Sequence, residues 1–161
     1  MQEHSEALLR IRKTADYQFG KNVGEVLFPD SVSIGFSKRT GRIRHIFLNE
    51  KLLATLRPTD GMLSLTIHGA MRLVSVKPLR HYVKVSDDVS SFIARGKSAF
   101  AKYVVDADDE IRPREELVVL DETNRVLAVG RAILSGREMK VFKRGVAVQV
   151  RSGVMKDEGE S

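Results

Sequence analysis

The sequence contains no cysteine and no tryptophan, and only three tyrosines and seven phenylalanines. The missing cysteine excludes a disulfide framework, a thiolate zinc site and a cysteine nucleophile. The longest stretch free of charged side chains runs from Gly61 to Met71, too short for a membrane span, which needs about 18 apolar residues. The start, MQEHSEALLR, has two acids and no apolar segment, so no signal peptide is expected and the chain reads as soluble and cytoplasmic. The four histidines, His4, His45, His68 and His81, show no HxH or HxxxH spacing, so no metal site is expected. Neither GxxxxGK[ST] nor GxGxxG occurs, and no cofactor is expected.

The acids do not assemble a reaction centre either. Asp87-Asp88 reads as the capped start of a helix. Asp106, Asp108 and Asp109 crowd a turn without the spacing of a calcium loop. Glu115 and Glu116 are neighbours on a strand and face opposite ways, so they do not form an acid/base dyad. No catalytic residue is assigned.

The chain does hold 161 residues with 42% apolar content, enough for one domain or two small ones. Its 27 Lys+Arg outnumber 21 Asp+Glu, a net charge of +6 spread over both halves, while the last residues are acidic. Excess cation favours polyanionic partners, because bound cations release counterions from the polymer.

Leu8, Ile11, Ala15 and Phe19 mark one face of a helix that Gly20 ends. The period then changes to two. Strands are expected at 32–36, 43–48, 52–57 and 62–67, with a short helix at 69–74. This half reads as a helix plus an antiparallel meander. Lys77-Pro78 is the expected boundary. Beyond it, strands are expected at 81–85, 99–105, 116–120, 125–134 and 146–151. A short helix follows Ser86, and a short helix or irregular excursion lies at 136–142. That set suggests a small, mostly-β, closed or nearly closed barrel. The expected organisation is an α+β domain over 1–77, a barrel over 78–153, and a disordered acidic tail over 154–161. Tyr17, Phe19, Phe28, Phe36, Phe47, Phe92, Phe100 and Phe142 fall at core-like positions, so no exposed aromatic pair of the RNA-recognition kind is expected.

Glycine recurs beside cations: Lys38-Arg39-Thr40-Gly41-Arg42-Ile43-Arg44, Arg95-Gly96-Lys97-Ser98, Gly130-Arg131 and Lys143-Arg144-Gly145. Glycine lets a polyanion approach the backbone, where N–H groups meet phosphate oxygens, and arginine supplies a bidentate fork.

Residues from about His81 to Gly153 resemble a PUA domain. The resemblance is carried by Ala94-Arg95-Gly96-Lys97-Ser98-Ala99-Phe100-Ala101-Lys102, then Arg112-Pro113 before Glu116-Leu117-Val118-Val119. After these come Ala128-Val129-Gly130-Arg131-Ala132, Gly145-Val146-Ala147-Val148 and Val150-Arg151-Ser152-Gly153, in order. In the first half, Ala15-Asp16-Tyr17-Gln18-Phe19-Gly20, Ser37 to Arg44 and Ala54 to Gly61 resemble the domain that precedes the PUA domain in archaeal (archaeosine) tRNA-guanine transglycosylases. The resemblance implies an archaeal source and a tRNA-handling region. It stops at the chemistry: that family's cysteine-containing zinc site and (β/α)₈ barrel, typically about 250 residues, have no counterpart here.

The resemblance further implies a non-catalytic RNA-binding protein that meets an acceptor-type tRNA stem and its 3′ end. Arg95, Lys97 and Lys102 would contact phosphates, and the Gly96 and Ser98 backbones would permit close approach. Arg144 and Arg151 would clasp the 3′ end, and Arg39, Arg42 and Arg44 would extend the track. The alternative is an adaptor or subunit of a split tRNA-modification enzyme whose catalytic chain is separate; a small-molecule enzyme is a third reading without a supporting motif. Where many PUA sequences have Pro-Gly, this chain has Pro113-Arg114, which predicts a type I turn or a shifted loop.

Overall fold

In the computed structural model, which describes residues 2–155, the chain divides into two compact units between Arg80 and His81.

The first unit opens with helix α1 (Gln2–Phe19), whose Ile11, Ala15 and Phe19 are buried. Gly20 ends it with a positive φ of 125°, where a side chain is disfavoured. Helix α2 (Val23–Leu27) follows, an element with too few residues for its period to show in the sequence. It packs against α1 because Gly24 has no side chain: a Cβ there would lie 2.3 Å from the Arg12 carbonyl oxygen. Asp16 Oδ1 accepts the Gly24 N–H at 2.7 Å.

Strands β1 (Ser33–Phe36), β2 (Ile43–Leu48), β3 (Lys51–Leu56) and β4 (Leu63–Leu65) form an antiparallel sheet in that order. The row Ile34–Ile46–Ala54–Leu65 crosses it on the core face. Gln18 ties α1 to β4 by donating to the Leu63 carbonyl and accepting the Leu63 N–H, at 2.9 and 2.7 Å. Helix α3 (Ile67–Leu73) starts at Thr66, whose hydroxyl caps the Gly69 N–H.

The second unit is a six-stranded mixed sheet. Its strands are β5 (Tyr82–Val85), β6 (Ala99–Phe100), β7 (Val104–Ala107), β8 (Glu116–Leu120), β9 (Val126–Ala132) and β10 (Val146–Gly153). They lie in the order β6-β10-β9-β8-β5-β7, with β5 and β8 parallel. Helices α4 (Ser90–Ala94) and α5 (Gly136–Val141) complete the unit, and α5 carries a reciprocal capping box between Ser135 and Glu138.

The expected single strand at 99–105 is broken, and the break has a structural purpose. β6 pairs with β10 at one edge of the sheet, a 3₁₀ turn at Ala101–Tyr103 carries the chain across, and β7 pairs with β5 at the other edge. One short segment therefore spans both edges and nearly closes the barrel. Val118, Val119 and Leu120 are buried on both faces, as an uninterrupted apolar run requires.

The turn expectation at Arg114 is corrected. Arg114 has a positive φ of 77°, Pro113 precedes it, and the Glu115 N–H donates to the Arg112 carbonyl at 3.1 Å. This is a type II turn with arginine where glycine is usual. The surroundings hold it there: the Arg114 N–H donates to Ala132 at 2.7 Å and Glu115 Oε1 accepts the Arg112 N–H at 2.8 Å.

Candidate nucleic-acid interface

Two segments of the second unit run antiparallel at the β6 edge. Phe100 pairs with Val146 and Ala99 with Val148. The Ala101 N–H donates to the Gly145 carbonyl at 2.9 Å, and Ser98 Oγ accepts the Val150 N–H at 3.3 Å. The pairing places Arg95, Lys97 and Lys102 on one segment beside Lys143, Arg144 and Arg151 on the other. Neither segment carries an acid: there is none from Val89 to Val105, and none from Met139 to Met155. That signal was present in the sequence and is more specific than net charge.

Each cation is presented by a local device. Arg95 caps α4, and its N–H is held by the Ser91 and Phe92 carbonyls. Gly96 turns the chain with a φ of 104°, and the Lys97 N–H donates to Phe92 at 3.0 Å. The whole loop rests on Gly153, where a Cβ would lie 2.2 Å from the Ala94 carbonyl oxygen. Met155 continues the contact, its N–H donating to Ala94 at 2.8 Å. Gly145 turns the other segment with a φ of 90°, with open space where its Cβ would be. Lys102 Nζ lies 5.0 Å from the centroid of the Tyr103 ring. Arg95, Lys97, Lys143 and Arg144 are exposed, and their side chains make no ion pair with any described residue.

Arg151 differs from its neighbours. From a bulge in β10 it reaches across β9 to Glu116 on β8 and grips both carboxylate oxygens, one of them at 2.9 Å. The Glu116 side chain is fully buried and the Arg151 side chain keeps 37% of its surface exposed.

The expected burial of several aromatics is also corrected. Tyr17 is 83% exposed, Phe92 54%, Phe100 47% and Phe142 45%, and Phe36 is exposed as well. Tyr17 lies away from the Ile11–Ala15–Phe19 face of α1. Phe92, Phe100 and Phe142 sit on or beside elements of two to six residues, too short for periodicity to fix an inner face. Three of these rings therefore stand near the cationic strip.

Arg39, Arg42 and Arg44 belong to the first unit, on the β1–β2 hairpin and the start of β2. All three lie within the acid-free run from Ser31 to Asn49.

Other polar pairs tie elements of the second unit together. The Tyr82 hydroxyl donates to Asp106 at 2.8 Å, and burial, reinforced by that carboxylate, pushes its phenol up to about 12. Lys140 pairs with Asp109 and holds its carboxyl below the ordinary range. Among the described residues no three His, Asp or Glu side chains gather as metal ligands, and no helix is long and apolar enough to cross a membrane.

Residues 9–79 match the family described as the patch-forming domain C2 of tRNA-guanine transglycosylase. Residues 81–154 match the PUA domain. The chain is a C2 domain followed by a PUA domain. Relatives of this C2–PUA pair include the tRNA-guanine(15) transglycosylase of Thermococcus kodakarensis, 45% identical over 155 residues that cover 96% of this chain and 26% of the relative. The enzyme of the same name from Methanothermobacter thermautotrophicus is 41% identical over 145 residues, covering 89% and 22%. The chain thus spans about a quarter of the length of the curated relatives it matches. A hypothetical protein from Pyrococcus horikoshii shares the fold, with a TM-score of 0.73 at 23% identity, over 92% of this chain and 90% of that one.

Proposed function

We propose that the C2–PUA chain is a non-catalytic RNA-binding protein that holds tRNA, at an acceptor-type stem and its 3′ end, for a modification reaction carried out elsewhere. The observation that carries this reading is the antiparallel pairing of two acid-free segments, which gathers Arg95, Lys97, Lys102, Lys143 and Arg144 at one edge of the PUA domain. The matched relatives are tRNA-modifying enzymes, and the PUA match supports RNA as the polyanion. Arg95, Lys97 and Lys102 contact phosphates of the stem. The Gly96 and Ser98 backbones allow close approach, and Arg144, with the exposed edge of Arg151, meets the 3′ end. Arg39, Arg42 and Arg44 contact RNA from the C2 domain. A-form RNA offers shape, phosphates and 2′-hydroxyls rather than readable base edges, so sequence preference is weak.

A salt series tests the reading, comparing intact tRNA with tRNA lacking its 3′ CCA. Affinity falls steeply with salt, and each lost phosphate contact lowers the logarithmic slope by roughly 0.7–0.9. Arg95→Ala with Lys97→Ala lowers both affinity and slope. Unchanged values place the site elsewhere, and equal affinity for the two tRNAs removes the end-recognition step.

A second reading is an adaptor or subunit of a split modification enzyme, in line with relatives that are tRNA-guanine transglycosylases. Co-purification from source cells with a stoichiometric catalytic chain supports it, and isolation as a free RNA-binding protein removes it.

A further inference from the structure

The C2 sheet has a second face. On the core side the row Ile34–Ile46–Ala54–Leu65 packs inward. On the opposite side the row Gly35–His45–Thr55–Ser64 crosses all four strands, with Phe47 one step along β2 opposite Ser33. This face is half-buried and carries small or polar side chains apart from its aromatic rings and Leu52. The His45 and Phe47 ring centroids lie 6.1 Å apart, tilted by 36°. Gly35 sits beside both rings, and a Cβ there would lie at ordinary contact distance, 3.8 Å from His45 Cβ and 3.9 Å from Phe47 Cε2.

The surroundings of this ring pair are cationic. Lys38, Arg39 and Arg42 sit on the adjoining hairpin, and Arg44 directly precedes His45. The β1–β2 register slips by one residue between the Gly35–His45 and Phe36–Ile43 pairs, so Arg44 occupies a bulge. Bulges re-aim side chains and are common beside functional sites. The side-chain charges of these four residues make no ion pair or hydrogen bond with any described residue. A half-buried antiparallel face with an aromatic pair, bordered at its hairpin end by cationic side chains, matches what an unpaired nucleotide presents: a flat base beside a phosphate.

We propose that this face of the C2 domain binds an unpaired nucleotide of RNA, the base stacking on Phe47 and His45 and its flanking phosphates meeting Arg42 and Arg44. The proposal rests on the RNA-binding reading above and adds a second contact of a different kind, one that recognises single-stranded RNA.

The test uses the full chain and a single-stranded oligoribonucleotide carrying one 2-aminopurine, with a duplex of the same length as control. Stacking quenches the probe in the single strand and not in the duplex. Phe47→Leu keeps bulk without a ring and loses roughly tenfold in affinity together with the quenching, the scale of one stacked base. Phe47→Trp retains both. Arg42→Ala with Arg44→Ala weakens binding and lowers the salt slope, yet keeps the quenching at saturation. His45→Ala gives a severalfold loss and serves if Phe47→Leu fails to fold by circular dichroism. Wild-type affinity and quenching in Phe47→Leu and His45→Ala overturn the stacking site alone, provided tRNA binding still depends on Arg95 and Lys97. A wild-type chain that binds neither RNA overturns this proposal and the RNA-binding reading together.

Discussion

Arg151 on β10 and Glu116 on β8 form a two-pronged ion pair that passes over the strand between them. The buried carboxylate has this guanidinium as its counter-charge, so the arginine holds the sheet as well as standing in the cationic strip. Removing one partner of a buried pair costs about 3–5 kcal/mol, and the partial exposure of Arg151 brings the expectation to roughly 2–3 kcal/mol. Arg151→Ala lowers the thermal midpoint by roughly 5–10 °C, whereas Glu116→Gln with Arg151 intact costs less, because the amide still accepts a hydrogen bond. Thermal unfolding of the two variants checks this. It also decides how a loss of tRNA affinity in Arg151→Ala is read.

Gly153→Ala separates the loop from its support. The new methyl collides with the Ala94 carbonyl and the Gly96 N–H, both backbone groups that cannot rotate away. Overpacking of this kind costs about 1–3 kcal/mol. The expected outcome is a lower thermal midpoint and weaker tRNA binding, with all the cations still present. Wild-type affinity in the folded variant shows that the seat of the Arg95–Ser98 loop does not govern binding.

Gly24→Ala probes the C2 domain in the same way. Its methyl meets the Arg12 backbone within α1 and forces α1 and α2 apart. Destabilisation of about 1–3 kcal/mol is expected. Urea denaturation followed by circular dichroism measures it, and a variant as stable as wild type contradicts the close approach of the two helices.

Asp121 gives the chain an acid-sensitive contribution. Burial opposes its ionisation, but Oδ1 accepts the N–H groups of Arg125 and Thr123 and the Thr123 hydroxyl, and Arg125 Nε donates to Oδ2. The hydrogen bonds win and hold its carboxyl below the ordinary range. A depressed folded-state value stabilises the fold above the unfolded pKa of about 3.9. That contribution is lost as pH falls through the lower folded value. Asp121→Asn is therefore less stable than wild type at pH 7, and the difference narrows below about pH 4. A constant difference from pH 7 to pH 3 rules this contribution out.

Much of this architecture was legible in the residues. The 3–4 spacing of Leu8, Ile11, Ala15 and Phe19 marked α1, and Ser86 before Asp87-Asp88 marked a helical start, where its hydroxyl accepts the Asp88 N–H. The ordered PUA-like segments located the cationic loop. What escaped was set by partners distant in sequence. The break after Phe100 exists because the chain changes edge there, and no local pattern encodes which strand lies beside it. The φ preference of arginine opposes the turn at Arg114, while Ala132 and Glu115 supply the hydrogen bonds that hold it. The exposure of Phe92 and Phe100 was hidden because two- and five-residue elements have no measurable period. The His45–Phe47 pair was invisible for a related reason: a bulge on each side of β2 shifts the alternation that would have marked its face.

The crossing at Ala101–Tyr103 makes one amide a reporter for the PUA domain. The Ala101 N–H is bonded to the Gly145 carbonyl, between the cationic segments and at the point where the barrel closes. Its hydrogen exchange therefore measures the opening of that seam directly. RNA that spans both segments must slow this exchange, while RNA held by the C2 domain alone leaves it unchanged.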